Sequence, residues 1–279
     1  SEPLFEQAVT EWQLRSNAAL PNLPQRAIQK AWDSPLLDVV SARVLSAAQT
    51  QAGFARLTTA AAPFAGAFLE AIPCSAVGTR MDNSSFRIAV ALRLGAEICS
   101  PHNCICGAPV DSSGVHGLSC RKSSGRQIRH SAVNGIIKRA LASAEVPARL
   151  EPSSLSRDDG KRPDGMSLMP WKEGRCLIWD FTCADTLAQS HLDRAVLRAA
   201  TVADDAEQRK RQKYVSLSAT YYFVPICIET LGPMGEEAAV FFADVGQRIA
   251  TATGEPRSKS FLMQRLSIAV QQGNAACVL

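Results

Sequence analysis

No stretch of the chain is long and apolar enough to cross a bilayer: the most apolar window, residues 59–72, is broken by Pro63 and Glu70 and falls short of the roughly 20 residues a span needs. The first residues, Ser-Glu-Pro-Leu, lack the basic-then-apolar pattern of a secretory leader and read as a cut inside a longer polypeptide. Internal repeats and low-complexity tracts are missing too. Gly and Pro are both absent between Gly174 and Pro225, which removes the usual loop punctuation from that window. Acids are scarce over residues 121–149, where seven Lys and Arg accompany a single Glu145. With 46% apolar and 20% charged residues, the 279-residue chain has the composition of an ordered globular protein.

The cysteines argue against a disulfide framework. Their number, nine, is odd; Cys99, Cys104, Cys106 and Cys120 lie close together, and the others are scattered among apolar residues. A reducing compartment and one metal site fit this distribution better than a small secreted scaffold. Cys104-Ile-Cys106 is followed after nine residues by His116 and after three more by Cys120. Three thiolates and an imidazole at these separations can close a tetrahedral shell around zinc, with Gly107, Gly114 and Gly117 supplying the turns. Cys99 and His102, just outside, are second choices as ligands.

The rest reads as alternating elements. Residues 1–98 form helices punctuated by Pro21, Pro24, Pro35, Pro63 and Pro73, and residues 99–122 form the knuckle. A helix follows over 125–144, a short strand over 148–151, and a hairpin with strands over 162–168 and 175–183. A long helix over 187–215 and a β-branched and aromatic strand over 218–229 complete a core of residues 123–230, in the order helix, three strands, helix, strand. Two more helices fill residues 231–279. The fold class is mixed α/β.

Carboxylates stand out in the hairpin. Phosphodiester cleavage with magnesium needs two or more of them a few ångströms apart. A hairpin centred on Lys172 puts Asp164 directly opposite Asp180, with Cβ atoms about 5 Å apart. The two like charges repel unless a cation sits between them. Alternation puts Thr182 on the face of Asp180, and Trp179 and Phe181 on the core side. Glu151 is a candidate third carboxylate. In the long helix, Lys210 and Lys213 share a face with Ala206 and can bring an ammonium to the carboxylates. The basic stretch 121–149 and the cluster from Arg209 to Lys213 read as a phosphate-backbone surface.

The ordered set of knuckle, Arg129-His130, Glu151-Pro152, Arg162-Pro163-Asp164, Asp180 and Lys210-x-x-Lys213-Tyr214 resembles the restriction-like endonuclease of site-specific non-LTR retrotransposons. That family belongs to the PD-(D/E)xK nucleases, and the resemblance covers about residues 99–229. It implies a restriction-endonuclease-like αβββαβ core behind a CCHC zinc knuckle and an N-terminal helical region. It also implies a nuclear enzyme that nicks target DNA to prime reverse transcription, working with an upstream polymerase module and element RNA. Asp164 and Asp180 would hold Mg²⁺, Lys210 or Lys213 would be the catalytic lysine, and Glu151 a weaker third acid. Cys104, Cys106, His116 and Cys120 would hold a structural Zn²⁺, and Arg126, Arg129, His130 and Arg162 would contact nucleic acid. The superfamily usually places the lysine two residues after the second acid, a position taken here by Thr182; in this retroelement family it sits on the following helix. A zinc-containing nucleic-acid-binding module without cleavage is the alternative, and a purely structural or partner-binding role is the second rival.

Overall fold

The structure, a computed structural model, describes residues 2–155 and 162–279. They fall into two compact units, residues 1–50 and 51–279. The first unit contains α1 (Glu2–Ser16) and α2 (Gln29–Ser46). Pro35 lies inside α2 rather than ending it. Trp12 and Trp32 meet edge to face, and the Trp12 indole N–H donates to the Trp32 carbonyl at 2.9 Å.

The second unit begins with α3 (Gln51–Ala60), α4 (Ala67–Glu70) and α5 (Asn83–Leu94). The knuckle follows as a small hairpin, β1 (His102–Asn103) and β2 (Pro109–Val110), and a single helical turn, α6 (His116–Ser119). Then come α7 (Gly125–Ser143), β3 (Ala148–Leu150), β4 (Gly165–Lys172), β5 (Arg175–Ala184), α8 (Leu192–Ala195), α9 (Thr201–Lys213) and β6 (Tyr222–Glu229). Two long helices, α10 (Glu236–Thr253) and α11 (Ser258–Val278), close the chain. The segments 99–122 and 231–279 both lie within this second unit.

Strands β3, β4, β5 and β6 lie side by side in that order, antiparallel up to β5 and parallel between β5 and β6. A parallel neighbour requires a crossover, and α8 with α9 supplies it. The alternation of β5 decides what each face touches. Leu177, Trp179 and Phe181 join Val133, Ile136 and Ile137 of α7, together with residues of α10 and α11. Ile178 instead packs with Tyr214 and Phe223, and Cys227 of β6 packs with Val202, Ala203 and Ala206 of α9. The sheet is covered on both faces, so every residue from Leu177 to Phe181 is buried, Asp180 among them.

Two sequence expectations change. The helix over 187–215 is broken: α8 stops at Ala195, and α9 starts after Ala200, whose φ of 68° is left-handed. The Thr201 hydroxyl contacts the Arg194 and Arg198 carbonyls at 2.6 and 2.8 Å, serving the orphan end of α8 without any Gly or Pro. The hairpin turn lies at Glu173 and Gly174, both with positive φ, rather than at Lys172. Register shifts on both sides of Pro170 absorb the difference, so the pairing returns to Gly165 opposite Trp179 at the far end. Gly165 is obligatory there, since a Cβ would lie 2.0 Å from the Trp179 ring.

Candidate functional site

Asp164 sits one residue before β4, at the position adjoining the Gly165–Trp179 pair and therefore next to Asp180 along the ladder. Its backbone still belongs to the sheet: its N–H donates to the Trp179 carbonyl and its carbonyl accepts from the Glu151 N–H. Its carboxylate takes over where the ladder ends. Oδ2 accepts from the Phe181 N–H at 2.6 Å and meets His130 Nε2, from α7, at 3.0 Å. Asp180 is served from the other layer. Its Oδ2 accepts from Lys210 Nζ at 2.5 Å and lies 3.6 Å from Lys213 Nζ, both on α9. The expected mutual repulsion of the carboxylates is thus offset by the protein's own cations.

These groups act on one another electrostatically. The hydrogen bond to Asp164 raises His130 above its ordinary range; burial opposes this, the charges of Asp164 and Asp180 reinforce it, and Lys210 works against it. Burial pushes Asp164 up, but the His130 bond and charge, the Phe181 N–H and Lys210 outweigh it and hold the carboxyl below the usual value. Asp164, Asp180, Lys210, Lys213 and His130 therefore form one charged cluster.

Other expected members are placed elsewhere. The Glu151 side chain is two-thirds exposed and ion-paired with Arg162, so it does not join the two aspartates. Arg162 is exposed, and its carbonyl accepts from the buried Tyr214 hydroxyl at 3.0 Å. Arg129 is 2% exposed and donates to Asn274 Oδ1 and the Leu118 carbonyl, which makes it a strut between α7 and α11 rather than a surface cation. Arg126 is exposed and lines a polar cleft of about 280 Å³ with Arg121, Gln127, Arg129, His130 and Thr182. The cleft runs from the end of β5 along the start of α7.

Sequence reasoning missed Asn134. Its carbonyl oxygen accepts from the Trp179 indole at 2.9 Å while its amide approaches His130 Nδ1 at 3.3 Å, so it links the core to the histidine. The spacing of four between His130 and Asn134 on a helix was the available signal.

The knuckle brings Cys104, Cys106, His116 and Cys120 together, with one donor atom from each residue within 4.8 Å of all the others. Cys104 Sγ and Cys120 Sγ are 3.7 Å apart, and Cys106 Sγ lies 3.2 Å from His116 Nε2. A tetrahedral ion with Zn–S bonds of about 2.3 Å sets S···S separations of about 3.8 Å, so this donor set suits an ion such as zinc. The Ala108 N–H is the main influence holding the Cys106 thiol down at about 6, which favours the thiolate that a metal requires. Cys99 and His102 stay outside: Cys99 points to the Asp111 carbonyl and His102 to that of Ser100. Gly117 lets α6 lie directly on α11, where a Cβ would come 2.3 Å from the Cys277 carbonyl oxygen.

No protein-family model and no curated protein matches the chain. The arrangement of side chains therefore carries the functional argument. No helix among the described residues is long and apolar enough to cross a membrane.

Proposed function

We propose that the chain is a magnesium-dependent DNA endonuclease of the restriction-like type, stabilised by a structural zinc in its knuckle. In this reading it nicks target DNA in the nucleus for reverse transcription by an associated polymerase with its element RNA. The observation that carries the reading is the cluster of Asp164, Asp180, Lys210 and Lys213, with a basic cleft beside it. The order α7, β3, β4, β5, α9, β6 is the one the resemblance implies.

Asp164 and Asp180 would be the carboxylates that hold magnesium, which when bound would supply positive charge to a phosphoryl oxygen and an activated water. The chain's own groups do the rest. Lys210 and Lys213, released from Asp180, place ammonium charge where the phosphorane develops negative charge. His130 and the Phe181 N–H hold Asp164 ionised, and Arg121 and Arg126 draw the DNA backbone along the cleft.

A second reading, a nucleic-acid-binding module without cleavage, is favoured by one observation: both carboxylates are already neutralised by His130 and the two lysines. Incubating supercoiled plasmid with the protein in Mg²⁺ and in EDTA separates the two. Open-circle product only with Mg²⁺ is the expected result; binding without nicking at any Mg²⁺ concentration replaces the first reading with the second.

A further inference from the structure

On another side of α7, Arg139 and Arg265 of α11 both line a groove of about 630 Å³. Ser75, Gly78, Ser131 and Gln272 border it, and no acid is among its lining residues. Neither guanidinium has a carboxylate or hydrogen-bond partner among the described residues. This sets the pair apart from Arg194, Arg198, Arg211, Arg248 and Arg257, each of which engages an Asp or Glu. Arg139 lies back over Gly135, where a Cβ would come within 3.3 Å of its Nη1. Burial, and then the charge of Arg139, hold Arg265 below its usual range, as expected for a cation lacking a counter-ion.

An exposed and a half-buried arginine with no acid among the lining residues, flanked by hydroxyls and an amide, offer the charged donors that phosphate oxygens accept. We infer that the Arg139–Arg265 groove is a phosphate-binding site, separate from the carboxylate cluster. The phosphate is either a group of a nucleic-acid backbone or a free anion. The inference stands on the groove alone and does not require the nuclease reading.

The test compares the full chain with Arg139→Gln, Arg265→Gln and the double variant. Binding of a labelled DNA duplex is followed across a salt series, and thermal unfolding is followed with inorganic phosphate against chloride at equal ionic strength. If the backbone is the ligand, the double variant loses about tenfold or more in duplex affinity, and its salt slope falls by about two. If a free anion is the ligand, phosphate raises the unfolding temperature of the parent but not of the double variant, and duplex binding is unchanged. Arg139→Gln removes an exposed side chain and should fold normally, so it reports even if the Arg265 variants are unstable. Equal duplex binding and equal phosphate response in parent and Arg139→Gln overturn the site. Neither readout depends on Mg²⁺ or on nicking, so failure of the cleavage assay and failure of this site are distinct results.

Discussion

Asp180 is 5% exposed in a strand covered on both faces, and its nearest charges are the ammonium groups of Lys210 and Lys213. Removing one partner of a buried pair leaves the other uncompensated, at a cost of about 3 kcal/mol. Sequence alone suggested that losing Asp180 would relieve repulsion against Asp164; the lysines reverse that sign. Asp180→Ala should therefore abolish nicking, retain DNA binding and lower metal-free stability, measured by denaturant unfolding in EDTA. Lys210→Ala and Lys213→Ala must be assayed separately, and at least one should lose about 10²-fold in rate. Retention of the parent rate by Asp180→Ala would exclude the mechanism.

The His130–Asp164 contact makes a pH-dependent prediction at the same scale. His130 is raised on folding, so its contribution is full below its unfolded pKa and is lost as pH rises through the folded value. Asp164 is lowered, so its contribution is present above its unfolded pKa and is lost as pH falls through the folded value. In EDTA, the difference in unfolding temperature between the parent and His130→Ala should be greatest between about pH 4 and 6.5 and shrink toward higher pH. A difference that stays level through that range and above it would remove the ion pair from the account.

Among the elements, the close approach of β4 to Trp179 is the most exacting. A Cβ on Gly165 would overlap the indole, and the displacement would pass to Asp164 and Asp180, the next residues along the two strands. Gly165→Ala should cost about 2 kcal/mol or more by overpacking and reduce nicking beyond what the stability loss explains. Normal stability and normal rate would show that the strand relaxes freely. The knuckle hairpin has only two-residue strands, too short to hold itself without a cross-link. One tightly bound zinc per chain is expected by elemental analysis, and a chelator should lower the unfolding temperature by several degrees, about the effect of 1–2 kcal/mol in a domain of this size. Metal-free protein with an unchanged transition would show that the four donors are not a structural site.

Across the whole molecule the net charge of +4 matters less than where the cations can reach. Arg126 stands exposed at the cleft, whereas Arg129, three residues on, is spent on Asn274 and Leu118 inside the protein. Arg126→Ala should weaken binding of unrelated DNA sequences about equally and lower the salt slope by about one. Arg129→Ala should instead destabilise by roughly 2–3 kcal/mol, because a buried acceptor loses a charged donor. Anisotropy titrations and unfolding curves on both variants distinguish the outcomes. A loss of affinity confined to one DNA sequence would assign Arg126 to base reading.

The sequence by itself determined what depends on short separations. Cys104, Cys106, His116 and Cys120 lie within 17 residues of one another, so turns at Gly107 and Gly114 suffice to gather them. The inward orientation of Trp179 and Phe181 follows from strand alternation alone. Only the tertiary structure decided which cation serves which carboxylate. His130 reaches Asp164 across 34 positions and Lys210 reaches Asp180 across 30, because α7 and α9 pack on opposite faces of the sheet. The same packing buried Arg129 against α11, left Glu151 with Arg162 at the surface, and interrupted the crossover helix at Ala200. Local spacing specifies which residues can be neighbours along one element; partners on different elements are set by how those elements dock, which no spacing encodes.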